Sequence, residues 1–301
     1  MAESSVPSLA EFIDGDQLAS LIGRARKEDL GPHGLDVTSR MLIRGEPVVE
    51  AKMVAREAGV LAGAALLTPI AEAYDERIEV ALDAADGQPI KPGQCVARFR
   101  GPLASLLSME RVALNFVTHL AGIASLTARY VEKTRGTSAG IYDTRKTLPG
   151  LRGLQKYAVA CGGGHNHRMG LCDAMLVKDN HIAGVKLDDL PGVLGEAIGR
   201  ARTTYAGLRF VQVEVDTLEQ LEKVLETDVD MILLDNMAPE EMGRAVAMRD
   251  EKAPEVELEA SGGVNLDTVE AIARAGIDRI SVGALTHSAP SLDLGLDIEA
   301  Q

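Results

Sequence analysis

Disulfide chemistry is the first thing the chain cannot support: its 301 residues hold three cysteines, Cys95, Cys161 and Cys172. An odd and scattered set of thiols builds no framework, and is expected of a reduced, cytoplasmic protein. Long apolar runs are also missing. The most apolar stretch, 59–70, is short and broken by Thr68 and Pro69, and residues 1–9 carry no basic stretch followed by an apolar one. The expectation is a chain that is neither exported nor anchored. Positive charge is in the minority, with 31 Lys and Arg against 45 Asp and Glu and a formal net charge of -14. That excludes a general attraction to nucleic acid or anionic lipid, so any anion site must be locally basic. No Gly-x-Gly-x-x-Gly follows an early strand, which weighs against a dinucleotide-binding sheet.

What is present suits a globular enzyme. Apolar residues make up 46% and charged residues 25% of the chain, and the length allows one large α/β core with a smaller companion. In the first third, 12–26 has helical apolar spacing and 48–57 alternates like a half-buried strand, Ala51, Met53 and Ala55 against Glu50 and Lys52. Strands are also expected at 77–82 and 94–99, separated by turn signals at Asp86-Gly87 and Lys91-Pro92-Gly93. A long helix is expected over 103–133, with Gly122 as the place where it could bend or divide. Ser108, Arg111, Asn115 and Thr118 stand off its apolar stripe.

After Gly140 the pattern becomes short apolar runs followed by helices. The runs are 140–142, 174–177, 210–215, 231–234, 256–258 and 279–282, with helices at 218–225, 240–249 and 266–275. Alternation of this kind implies a parallel sheet. Asp143, Lys178, Glu214, Asp235, Ser261 and Gly283 each fall at the C-terminal end of a predicted strand, the edge where α/β barrels build their active sites.

Between Thr144 and Lys178 lie six basic residues, Arg145, Lys146, Arg152, Lys156, Arg168 and Lys178, against one acid, Asp173. This island suits a small polyanion, because guanidinium groups bind carboxylate or phosphate through paired hydrogen bonds. Ser261-Gly262-Gly263 before the helix expected at Leu266, and Ser281-Val282-Gly283-Ala284 after the next run, suggest a phosphate cradle at two adjacent strand ends. Glu214 and Asp235 could hold ribose hydroxyls or magnesium, or cap helices and form ion pairs. Cys161, His165, His167 and Cys172 are spaced too tightly for the usual paired zinc pattern. A Schiff-base lysine at Lys146 or Lys178 is the other chemical option, although the arginines around them favour anion contacts.

Several strings resemble the quinolinate phosphoribosyltransferase family: Asp143-Thr144-Arg145-Lys146-Thr147-Leu148-Pro149-Gly150-Leu151-Arg152, Gln155-Lys156-Tyr157, Gly162-Gly163-Gly164, Asn166-His167-Arg168 and Val177-Lys178-Asp179-Asn180-His181. The likeness extends to Glu28-Asp29-Leu30-Gly31, Glu110 to Asn115, Glu214-Val215-Asp216, Leu233 to Asn236, Ser261 to Gly263 and Gly283 to His287. It spans almost the whole chain.

The resemblance implies an N-terminal α/β sandwich domain over 1–122, an irregular open α/β barrel of parallel strands over 123–285, and a tail, 286–301, that packs on the first domain. It implies a homodimer, open to higher assembly, with Arg111 supplied across the interface. By matching position, Arg111, Thr144, Arg145, His167, Arg168 and Lys178 would bind quinolinate. Lys146, Lys178, Glu214 and Asp235 would be catalytic and touch phosphoribosyl diphosphate. Ser261, Gly262, Gly263, Val282, Gly283, Ala284 and His287 would complete that donor site, and Glu214 and Asp235 would hold Mg2+, partly through water. The implied reaction turns quinolinate and phosphoribosyl diphosphate into nicotinate mononucleotide, diphosphate and carbon dioxide in de novo NAD synthesis. The rivals are a paralogue acting in molybdenum transport or on another aromatic acid, a barrel aldolase, and a non-catalytic sensor of a phosphorylated metabolite. A short insertion near 203–207 is expected to form a surface loop away from the catalytic edge.

Overall fold

The computed structural model describes residues 6–298. Twelve strands run in chain order as β1 (Val48–Ala55), β2 (Gly59–Val60), β3 (Glu79–Leu82), β4 (Pro89–Ile90), β5 (Cys95–Pro102), β6 (Gly140–Tyr142), β7 (Met175–Val177), β8 (Val211–Val215), β9 (Met231–Asp235), β10 (Glu257–Ser261), β11 (Arg279–Ser281) and β12 (Leu294–Ile298). Within the described residues, one compact unit comprises 6–128, 148–163 and 288–298, and the other 129–147 and 164–287.

In the first unit, an antiparallel sheet has the order β12-β1-β5-β3, and β2 pairs with β4 as a separate ribbon. Val49, Ala51, Met53 and Ala55 of β1 are buried, the alternation that a sheet with one covered face imposes. The helix expected over 12–26 begins later, at Gly15, because the Asp14 side chain accepts the Gln17 N–H at 2.8 Å and sets the N-cap; it runs to Leu30. Three further helices of this unit have no counterpart in the sequence expectations: Val37–Leu42, Leu67–Tyr74 inside the apolar stretch, and Arg152–Cys161 inside the basic island.

The long helix spans Leu103–Lys133 without interruption, so Gly122 neither divides it nor ends it. Its role is steric. A Cβ at this position would lie 2.0 Å from the carbonyl oxygen of Pro290, so the absent side chain lets the segment leading into β12 lie directly against the helix.

The second unit is an open α/β barrel. Its six parallel strands follow the order β6-β11-β10-β9-β8-β7. Along a flat sheet β8 and β11 would stand about 14 Å apart, three strand spacings. Yet the Arg279 guanidinium on β11 lies 5.8 Å from the ring of Phe210, just before β8, and 3.8 Å over Tyr142 on β6. The sheet is therefore curled around a shared interior. Within the described residues β6 and β7 do not pair with each other; His165 instead bridges Tyr142 on the outer edge of β6.

Helices at Leu218–Val224 and Pro239–Lys252 follow β8 and β9, close to the expected positions. The helix expected from Leu266 starts only at Val269. Asn265 accepts the N–H groups of Asp267 at 2.9 Å and Thr268 at 3.1 Å, and this side-chain turn occupies the residues between the glycines and the helix. Thr203 and Thr204 close the helix Leu190–Thr204, and exposed Tyr205–Gly207 leads to the N-terminal end of β8.

Two glycine replacements should separate packing from propensity. Gly122→Ala is expected to lower stability by about 1–3 kcal/mol through overpacking. Gly199→Ala, in an exposed helical position with nothing within 4 Å of the new Cβ, is expected to raise it by about 0.5–1 kcal/mol. Thermal denaturation of both variants checks this, and equal melting temperatures would refute the steric account of Gly122.

Candidate active site

A cavity of about 720 Å³ opens at the carboxyl ends of the barrel strands, in the size range of small-molecule sites. Its wall combines residues from the loops after β6 and β7 with the ends of β8 to β11. Thr144, Arg145, Lys146, His167, Arg168, Lys178, Glu214, Asp235, Ser261, Gly262, Gly263, Gly283, Ala284 and His287 all line it. Val282 does not: its side chain is buried and its N–H is donated to the Tyr142 carbonyl at 2.9 Å. Arg111 is exposed on the long helix and is not among the lining residues.

The basic island divides. Four of its members, Arg145, Lys146, Arg168 and Lys178, face the cavity, while Arg152 and Lys156 lie on the helix Arg152–Cys161 in the first unit. Cys161 also belongs to the first unit and His165, His167 and Cys172 to the second. No group of three or more His, Cys, Asp or Glu side chains among the described residues is arranged to hold a metal ion.

Asp143, one of the six polar strand-end residues, builds the wall without lining it. Fully buried, it accepts the His167 N–H at 2.9 Å and the Asn166 amide at 2.7 Å. Downstream, Asp173 accepts the N–H groups of Met169 at 2.8 Å and Gly170 at 2.9 Å. These two carboxylates pin the loop that carries Arg168, whose guanidinium donates to the Ala174 carbonyl at 3.2 Å.

The electrostatics are unusual around the arginines. Burial, and then the charge of Arg145, lower the affinity of Arg168 for its proton, with only Asp173 opposing them. The Nε of Arg145 is buried without a hydrogen-bond partner in the structure. Two guanidinium groups thus sit near one another with donor capacity to spare. On the other wall, Lys178 donates to Glu214 in an ion pair. Burial, and then the negative charge of Glu214, raise the Asp235 carboxyl above its ordinary range, while Lys178 and Lys146 pull it down.

At the glycine-bearing edge, Asp235 and Ser261 face each other in register. Asn236 follows with φ 55°, and a Cβ at Gly262 would lie 2.2 Å from its Oδ1. Glycine is therefore what lets the two strand ends close together. Ser281, from the expected cradle string, also lines the cavity, and Leu176, Leu233, Glu259 and Val264, which the sequence does not single out for a role, complete the lining. Leu176 and Leu233 precede strand-end residues already singled out, but nothing in the sequence marks which face of a barrel strand turns inward.

Comparison with known proteins places this geometry. The family model described as the quinolinate phosphoribosyl transferase C-terminal domain matches residues 123–297, and that of the N-terminal domain matches 36–121. The chain is 44% identical over 285 residues to the carboxylating nicotinate-nucleotide pyrophosphorylase of Mycobacterium leprae, covering 94% of this chain and 98% of that one. A probable enzyme of the same description from Bacillus subtilis is 39% identical, with 94% and 93% covered. The crystal structure of nicotinate-nucleotide pyrophosphorylase from Ehrlichia chaffeensis superposes with a TM-score of 0.83 at 38% identity, over 93% of this chain and 98% of that one. With both domain models matched in order across most of its length, the chain belongs to the quinolinate phosphoribosyltransferase family.

Proposed function

We propose that the cavity joins quinolinate to phosphoribosyl diphosphate, giving nicotinate mononucleotide, diphosphate and carbon dioxide for de novo NAD synthesis. The observation that carries this reading is that Arg145 and Arg168 both line the cavity, where the charge of Arg145 acts on the buried Arg168 and the Arg145 Nε is buried without a hydrogen-bond partner. A dicarboxylate relieves both their repulsion and their unused donors.

In this reading Thr144, Arg145, His167, Arg168 and Lys178 form the quinolinate end, completed by Arg111 of a second copy of the chain. Ser261, Gly262, Gly263, Gly283, Ala284 and His287, with the backbone at Val282, receive the ribose 5'-phosphate. Lys146 and Lys178 meet the diphosphate. The C1–O bond of the donor breaks as the pyridine nitrogen bonds to C1, and the electron pair leaves with diphosphate. Glu214 and Asp235, at the ribose hydroxyls, stabilise positive charge that develops on the sugar. The 2-carboxylate then departs as carbon dioxide, its bonding pair passes into the pyridinium ring, and a proton replaces it. No protein nucleophile is needed; orientation of two mutually repelling anions is the main task.

Glu214 and Asp235 also fit a magnesium ion, because their carboxylates line the cavity from the adjacent strands β8 and β9 and act on one another. Two carboxylates leave most of an octahedral shell to water and phosphate oxygens, the usual arrangement for Mg2+. When bound, the ion would neutralise charge on the diphosphate. The domain division at 122 and 123 belongs to the same proposal, supported by the two family matches, which meet there. Free thiols at Cys95, Cys161 and Cys172 support a cytoplasmic setting. Among the described residues no helix is long and apolar enough to cross a membrane.

The direct test is an assay with magnesium, phosphoribosyl diphosphate and either quinolinate or nicotinate. Nicotinate mononucleotide should form from quinolinate alone; turnover of nicotinate at the same rate would overturn the dicarboxylate assignment. Arg168→Lys should weaken quinolinate about tenfold to a hundredfold, the loss of one or two charge-assisted bonds, with little change for phosphoribosyl diphosphate. Unchanged quinolinate affinity in calorimetry would remove Arg168 from the site. Mixing inactive Arg111→Ala and Asp235→Ala proteins should restore about a quarter of wild-type activity, because half the subunits pair as mixed dimers with one intact site each. Exchanged dimers that stay inactive would show that Arg111 does not act across an interface.

A further inference from the structure

Directly beneath the cavity the barrel interior holds a carboxylate with no solvent exposure. Glu259, in the middle of β10, accepts from the Ser281 hydroxyl with one oxygen and from the Gln212 amide at 3.1 Å with the other. The Arg279 Nε stands 3.4 Å away as an ion-pair partner, and Arg279 is held in turn by Glu257 at 3.0 Å. Burial alone would raise this carboxyl. The His167 hydrogen bond, the Ser281 hydroxyl and the Arg279 charge outweigh burial and hold it below its ordinary range, so Glu259 is an ionised group that can only accept.

That one-way character propagates. Because Glu259 takes the NH2 of Gln212, the amide oxygen of Gln212 is turned to His167 Nε2, 3.0 Å away. An acceptor at that place requires a proton on Nε2, and Glu259 itself stands 3.4 Å from the same nitrogen. Nδ1 is then left with a lone pair, and it accepts the backbone N–H of Arg168 at 2.7 Å. Each link has a single consistent direction, and the chain ends at the residue that presents its guanidinium to the cavity.

We propose that Glu259 is a positioning residue for quinolinate: through Gln212 it fixes the Nε2-protonated form of His167, which holds the Arg168 backbone in place. The proposal rests on the cavity being the quinolinate site, but its structural half does not. Glu259→Gln changes no volume and keeps an acceptor for Ser281. With its oxygen kept on Ser281, the new NH2 faces the Gln212 NH2, so Gln212 turns over and offers a donor to His167 Nε2. The imidazole proton is then displaced to Nδ1, where it meets the Arg168 N–H donor to donor.

The test uses the intact protein labelled with 15N-histidine, with His167 assigned from the resonance lost in His167→Asn. The wild type should show the Nε2–H tautomer. Glu259→Gln should show a protonated Nδ1, and its KM for quinolinate should rise about tenfold or more, as expected when a buried donor loses its partner. KM for phosphoribosyl diphosphate should stay within about twofold, a split that general destabilisation would not produce. Gln212→Met, which removes the amide between Glu259 and His167 but not the charge, should also weaken quinolinate.

An Nδ1–H tautomer in the wild type overturns the proposal whether or not either variant folds. So does a Glu259→Gln protein that keeps the Nε2–H form, and so does a reversed tautomer with unchanged quinolinate KM. If the wild type turns over no quinolinate, the functional reading fails instead, while the tautomer measurement still decides the chain of hydrogen bonds.

Discussion

The arrangement at the barrel mouth depends on holding two guanidinium groups close together against their own repulsion. Arg168 is buried to 6% exposure and is further disfavoured as a cation by Arg145. Such a pair persists only if the surrounding structure over-determines it. Here Asp143 and Asp173 supply that constraint through the backbone. By accepting N–H groups on either side of Arg168, they spend their hydrogen bonds on the loop and leave the guanidinium largely unneutralised. An acid bonded directly to Arg168 would have stabilised the empty site more and the bound anion less.

The rest of the wall follows from dividing charge between two sets of elements. Cations come from the loops after β6 and β7, and carboxylates and glycines from the ends of β8 to β11. A reaction between an aromatic dicarboxylate and a ribose-phosphate donor needs this separation, since one reactant is held by its anionic groups and the other must develop positive charge at carbon. The ion pair between Lys178 and Glu214 marks the boundary where the two sets meet. In the proposed reading, a substrate anion that draws Lys178 away would release Glu214 for the sugar.

Much of this was legible in the sequence because barrel strands are short apolar runs with a polar residue at one end. The five residues of β8 are all buried, and Glu214, its last residue but one, is found from that pattern alone. The long helix is equally legible, because its apolar stripe recurs at helical spacing through a stretch without proline. The partner of β1 at β12 was not, because the two are joined only by a pairing distant in sequence. Nor was the helix Arg152–Cys161, where the charges of Arg152 and Lys156 drew attention to ligand binding and away from periodicity. A glycine such as Gly122 looks like a weak point in a helix, yet here it is a packing contact, and nothing local in the sequence distinguishes the two.

Glu259 illustrates the deeper limit. In a half-exposed strand, the alternation Glu257-Leu258-Glu259-Ala260 would place both acids in water. In a barrel both faces are covered, one by helices and one by the opposite strands, so alternation identifies two faces but not which is wet. Leu258 and Ala260 are buried, and Glu259 is buried as well. Only the convergence of Gln212, Ser281, His167 and Arg279 from other parts of the chain makes that carboxylate tolerable. A buried ion whose partners are all nonlocal leaves no trace in its own neighbourhood of sequence, and for the same reason it can set the orientation of residues far from it along the chain.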